Sequence, residues 1–300
     1  MGTEIINRDA DEFSIMFMDE ARDGMTTDLG VVHGITKITL GHGETSFTDG
    51  SLYIHIDGDA TKVGISELSF NSTFVTAYAF AELSAGLMRS GCDAQTGDGE
   101  IVLIVLMDSD MPDSTLARAG ITATEAITAA VQDLGLAYGG EPASGSVRQT
   151  IVTVRYKGSG MYLRGAGKHT KLGELIGRSS TEAVKASAAE NGLSIVNRMS
   201  LMEIMNGYGY DQDRIFSLSG TEDYSAFLAK ILDKDSDPRA VASLSAAIHI
   251  YNESRWGLVD EGTATEAAIG ILRVGMCEPV RGKDLLETLA STVARYFAGC

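Results

Sequence analysis

The stretch IVLIVLM, from Ile101 to Met107, decides the fold. It is continuously apolar and mostly β-branched, far too short to span a bilayer, and so predicts a strand buried on both faces. Downstream, Leu116, Ala119, Ala123, Ile127, Ala130, Val131 and Leu134 recur at helical spacing. Ser114 or Thr115 is the expected cap of that helix, and Gly135 its stop. A Gly-rich loop (GGEPASGS, 139–146) leads into a strand TIVTVRY (150–156), a Gly turn and a short strand MYLRG (161–165). A further helix then runs to Asn191-Gly192. Upstream, the small residues of Phe74 to Arg89 predict a helix in the second half of that segment. Val31 to Glu67 reads as strands, with Asp49-Gly50 as a hairpin turn.

Beyond about residue 200 only helical patterns remain. Ser219-x-x-Glu222 reads as a capping box, Pro238 as a first helical residue, and 264–274 and 283–298 as two more helices. The expected fold class is therefore α+β: a mixed α/β core with a β-rich N-terminal part, followed by a helical C-terminal subdomain. The expected division is 1–200 and 201–300. Trp256, the sole tryptophan, follows IHIYNES at an exposed helix end. An aromatic placed there suits burial by a lid or by a second subunit, and of the two the subunit interface, hence a homo-oligomer, is the favoured reading.

Twenty-four Lys and Arg against 41 Asp and Glu give a formal charge of −17 over 300 residues. Such a surface repels phosphates, which excludes nucleic acid and anionic membrane as partners of the whole chain. Cys92, Cys277 and Cys300 are odd in number, widely spaced and without a CxxC pair, arguing against a disulfide framework and a thiolate zinc site. The N-terminal MGTEIINRDADEF has acids where a signal peptide needs a basic region, so a cytoplasmic protein is expected. His33, His42, His55, His169 and His249 show neither HExxH nor HxH spacing, and no metal site is expected. Walker, Rossmann and GxSxG motifs are likewise missing.

Two segments concentrate functional groups. In Thr122-Ala123-Thr124-Glu125, the helical wheel puts Glu125 opposite the apolar stripe and the threonines on its borders. Glu125 is then either a solvated carboxylate or a proton-transfer group, and the threonines either bond preceding carbonyls or orient a ligand. The second segment packs Gly165, Gly167, Lys168, His169, Thr170, Lys171, Gly173 and Glu174 into the start of one helix. Glycines admit a close ligand, free helix amides attract an oxyanion, and His169 can exchange protons. The structural alternative is a Gly turn with Thr170 as cap and a solvated basic pair. Ser144 and Ser146 place hydroxyls in the Gly-rich loop, which either cradles an anion or merely connects.

ARAGITATEAITAAVQDLG (117–135) followed by GAGKHTKLGELIGRSSTEAV (165–184) resembles the adenosylcobinamide amidohydrolase family of corrinoid salvage. Weaker similarity reaches back through VTAYAFAELSAGLMRSG (75–91), so the resemblance covers roughly residues 70–190. It implies hydrolysis of the amide between the corrin propionyl arm and aminopropanol, giving adenosylcobyric acid. It also implies a corrinoid as the small-molecule partner, with no cofactor of the enzyme's own, because cobalt belongs to the substrate. An unactivated amide needs a base for water, donors for the oxyanion and a proton for the leaving amine. On that reading Glu125, His169 and Lys171 are the catalytic candidates. Thr122, Thr124, Ser144, Ser146, Gly165, Gly167 and Thr170 are the substrate-binding ones. Gln149 departs from the family pattern, which has an Asp there, and Gly86 stands where Asn is usual. The alternative is therefore a corrinoid-binding paralogue that does not cut.

Overall fold

The computed structural model describes residues 4–94, 96–193 and 199–299. The chain divides into two units, one of Met1–Leu136 with Ala143–Ile195 and the other of Ala137–Pro142 with Val196–Cys300.

The first unit begins with β1 (Glu4–Arg8), β2 (Glu12–Phe17), β3 (Arg22–Thr26), β4 (Gly30–Ile35) and β5 (Lys37–Gly41). It continues with β6 (Ser46–Thr48), β7 (Ser51–His55), β8 (Gly64–Phe70), β9 (Thr73–Glu82), β10 (Leu87–Met88) and β11 (Glu100–Met107). Helix α1 (Asp113–Asp133) follows, then β12 (Ala137–Tyr138) and β13 (Glu141–Pro142) of the second unit, and finally β14 (Gly145–Ser146), β15 (Arg148–Arg155) and α2 (Lys171–Glu190). One sheet orders β1-β2-β5-β7-β6 and the other β4-β3-β15-β11-β9-β8. The Asp49-Gly50 turn joins β6 to β7 as expected, with φ of 49° and 78°.

IVLIVLM is the centre of the larger sheet: β11 is buried throughout, parallel to β15 and antiparallel to β9. Its alternate residues divide between two layers. Val102, Ile104 and Leu106 join Tyr78, Phe80, Val152 and Val154 in a core with Phe13, Ile15, Ile38, Leu40, Leu52 and Ile54 of the smaller sheet. The opposite face carries α1 and α2. The unit is thus a sheet–sheet–helix stack, with helices on the outer face of one sheet.

The helix expected in the second half of 74–89 is absent: β9 runs to Glu82, and the short strand β10 (Leu87–Met88) follows. The Ala-rich text of β9 reads as helical by propensity, but Ala77, Ala79 and Ala81 form one face of a fully pleated strand. These small side chains let α2 lie close to the sheet. Gly64 on β8 serves the same approach, because a Cβ there would stand 2.2 Å from the Ala183 carbonyl and 2.5 Å from the Ser187 amide. Two smaller expectations also change. Pro112, not Ser114 or Thr115, precedes α1 and offers no side-chain cap, and MYLRG contributes a single bridge from Tyr162 to Asp110 instead of a strand.

The second unit holds the β12–β13 hairpin and helices α3 (Leu201–Gly207), α4 (Gln212–Leu218), α5 (Tyr224–Lys234), α6 (Pro238–Arg255), α7 (Glu261–Gly275) and α8 (Leu285–Ala298). Leu244, Ala247, Leu272, Leu289, Val293 and Phe297 are among its fully buried residues. Asp223, and not Ser219, caps α5 by accepting the Ala226 amide; Ser219 ends α4. Cys277 is disulfide-bonded, whereas Cys92 is free and exposed. No helix among the described residues is long and apolar enough to cross a membrane.

Candidate active site

Burial of Leu116, Ala119, Ala123, Ile127 and Ala130 orients α1 on the sheet. The opposite border then presents Ser114, Arg118, Ile121 and Glu125, spaced four, three and four residues apart, in one row. That row lines a cavity of about 420 Å³ whose other wall is the segment Arg164–His169, just before α2. The cavity therefore brings Glu125 and His169 together from positions 44 residues apart in the chain.

Three bonds set the second wall. The Thr122 hydroxyl donates to the Ala166 carbonyl at 2.8 Å, and both residues are buried. Thr170 caps α2 by accepting the Gly173 amide at 3.1 Å, and its hydroxyl faces the Gly167 carbonyl at 2.8 Å. Gly173 permits the tight turn, since a Cβ there would lie 2.0 Å from that carbonyl oxygen. At Gly167 a Cβ would press to 3.0 Å on the His169 ring, so the glycine leaves the imidazole its place.

Charge inside the cavity opposes that of the chain. Arg118, Arg164 and Lys168 line it with Glu125 as the one carboxylate, a surplus of two positive charges before His169 is counted. Lys168 Nζ pairs with Glu125 Oε1 at 2.9 Å. Both side chains are exposed, so the pair orients the carboxylate more than it stabilises the fold. Among the described residues, Arg118 and Arg164 make no ion pair; the Arg164 guanidinium lies 5.8 Å from the centre of the Tyr162 ring. Neither Arg118 nor Arg164 is legible as a site residue in the sequence, although the Ser114-Arg118-Ile121-Glu125 spacing is the signal that places Arg118 in one row with Glu125.

The remaining candidates lie elsewhere. Lys171 Nζ pairs with Glu174 at 2.5 Å and sits 4.8 Å from the centre of the Phe70 ring, outside the cavity lining. Thr124 donates to the Gly120 carbonyl one turn back at 2.9 Å. Ser144 accepts the Ser90 amide at 2.9 Å and Ser146 donates to the Gly86 carbonyl at 3.2 Å, so both tie β14 to the connection after β9. Gln149 stands beside Gly145, with its Oε1 where a Gly145 Cβ would be 2.4 Å away.

A second polar cluster gathers at the ends of β7, β11 and β15. His55 Nε2 bonds Asp57 at 2.9 Å, Arg148 pairs with Asp57, and the Asp57 amide donates to Glu100 at 3.0 Å. The Arg148 and His55 bonds hold the Asp57 carboxyl below the usual range, whereas burial pushes Glu100 up. A third cluster surrounds Asp23. Burial raises that carboxyl, but bonds from Lys157, His33, the Gly34 amide and Arg155 outweigh it and hold Asp23 well below the usual range.

All residues lining the first cavity fall between Ser114 and His169. Residues 58–194 match the adenosylcobinamide amidohydrolase family. The matched family is one of amide hydrolases, and the match extends the resemblance at 70–190 in both directions. The chain is also 38% identical over 95 residues to an uncharacterized protein of Methanocaldococcus jannaschii, a match covering 31% of this chain and 35% of that relative's length. Among solved structures, a Pyrococcus horikoshii OT3 protein superposes with a TM-score of 0.38 and 11% identity, covering 62% of this chain and 78% of that one. A Burkholderia sp. beta-aminopeptidase gives a TM-score of 0.35 and 8% identity over 61% and 78% of the two chains. Neither superposition bears on the chemistry at these scores.

Proposed function

We propose that the protein hydrolyses the aminopropanol amide of adenosylcobinamide in the cavity between α1 and the Arg164–His169 segment, releasing adenosylcobyric acid. One observation carries this reading: the two segments that resemble the family meet at this cavity, where they face Glu125 to His169. Water loses a proton to one of these two groups as its oxygen bonds to the amide carbonyl carbon. The oxyanion that forms draws on the backbone at Gly167–His169 and on Lys168, which take the part expected of Lys171. The C–N bond then breaks, and the second group, or the newly protonated base, gives its proton to the departing amine. Thr122 and Thr170 act as positioning residues, because their hydroxyls are committed to the Ala166 and Gly167 carbonyls. Ile121, half exposed on the cavity wall, offers apolar contact to the corrin edge.

A second reading, binding without cleavage, is favoured by Gln149, since an amide cannot serve as a general base. Gln149 does not line the cavity, however, so a base at Glu125 or His169 is independent of it. Incubation of the purified protein with adenosylcobinamide, followed by chromatography of the corrinoids, separates the two. Appearance of adenosylcobyric acid supports hydrolysis; binding with unchanged substrate supports the paralogue.

A further inference from the structure

The proposed reaction leaves two cations of the cavity unused. Arg118 stands on α1 one turn from Ser114 and two turns before Glu125, and Arg164 stands on the facing segment. Both are exposed residues of the cavity lining, and neither pairs with a carboxylate among the described residues. In a chain carrying −17, an anionic ligand meets repulsion almost everywhere, so two uncompensated guanidiniums at one cavity are a local reversal of the field. Guanidinium forks match planar and tetrahedral oxyanions through paired N–H donors, which a neutral amide or hydroxyl cannot exploit to the same degree. Ser114 lies beside Arg118 in the same wall and adds a hydroxyl donor.

We infer that Arg118 and Arg164 form an oxyanion subsite that selects ligands carrying a phosphate ester or a carboxylate. As applied to corrinoids, this rests on the function proposed above. The two sources of the oxyanion are a phosphate on the terminal hydroxyl of the side arm and the carboxylate left once the amide is cut. In the first case the subsite selects a phosphorylated substrate; in the second it retains product.

Inorganic pyrophosphate serves as a corrinoid-free probe. It should raise the melting temperature of the wild-type protein, and the rise should vanish in the double variant Arg118→Gln, Arg164→Gln. Both side chains are exposed, so the variant should fold; Lys157→Gln, another exposed cation outside the cavity, should keep the full rise. Corrinoid affinities then distinguish the sources. Adenosylcobinamide, the same corrinoid with a phosphorylated arm, and adenosylcobyric acid are compared by absorbance titration. Tighter binding of one anionic form by about tenfold or more, abolished in the double variant, is the expected result. A pyrophosphate response confined to wild type with no corrinoid bound would uphold the subsite and discard the corrinoid reading. The inference is overturned if pyrophosphate has no effect on wild type, or an equal effect on the double variant.

Discussion

Thr122→Val separates a positioning hydroxyl from a reacting one. Valine replaces the hydroxyl with a methyl of similar size, so no cavity opens, and the change removes only the donor to the Ala166 carbonyl at 2.8 Å. Thr122 is 3% exposed and Ala166 is fully buried, which keeps water from replacing the lost bond. Leaving a buried carbonyl without its donor costs about 1–3 kcal/mol. For a unit of this size that corresponds to a fall in melting temperature of about 4–8 °C for a 2 kcal/mol loss. Thr122→Ser keeps the hydroxyl and should recover most of the loss. Thermal unfolding followed by circular dichroism reads both variants, alongside turnover. An unchanged melting temperature in Thr122→Val would refute the tie between α1 and the 164–169 segment, and abolished turnover at full stability would make Thr122 a reacting group instead.

Gly64→Ala should destabilise by about 1–3 kcal/mol or more, because the obstructing atoms are α2 backbone that cannot rotate away; chemical denaturation measures it, and wild-type stability would show that α2 does not pack so closely. Glu100→Gln should match or exceed wild-type stability near neutral pH, since burial penalises the charged form and the amide oxygen can still accept from Asp57. Asp23 behaves oppositely. Its folded-state carboxyl titrates below the unfolded value of 3.8, so its contribution is complete above that pH and is lost as pH falls toward the folded-state value. The stability gap between wild type and Asp23→Asn should therefore narrow from about pH 5 to about pH 3, and a gap that widens would contradict the assignment.

The parts of the fold visible in sequence are those where one local signal suffices. Ile101–Met107 has no polar residue to suggest any exposed face, and Asn191-Gly192 ends α2 through a residue at φ 93°. β9 carries no strand signature of its own because Ala77, Ala79 and Ala81 owe their size to α2, which arrives about a hundred residues later, and the small-residue composition that runs on to Arg89 favours a helix after it. Ser219 is displaced as cap for a local reason: Asp223 stands four residues nearer α5 and accepts the Ala226 amide. At the site, Glu125 and His169 were legible as residue types, but the Lys168 partner of Glu125 and the pairing of Lys171 with Glu174 depend on how the 164–169 segment lies along α1. Nothing in the sequence marks Arg118, because a lone arginine on a polar helix face is ordinarily solvated.

The proposed reaction cuts an amide in the cavity lined by Glu125 and His169. Its most direct test is the turnover of adenosylcobinamide by wild type, Glu125→Gln and His169→Ala at matched melting temperatures, with products resolved by chromatography. Proton transfer commonly contributes 10²-fold or more, so each variant should fall by about 10² or more in kcat while still binding the corrinoid. Turnover within a few-fold of wild type in both variants would contradict the account and move the chemistry out of this cavity.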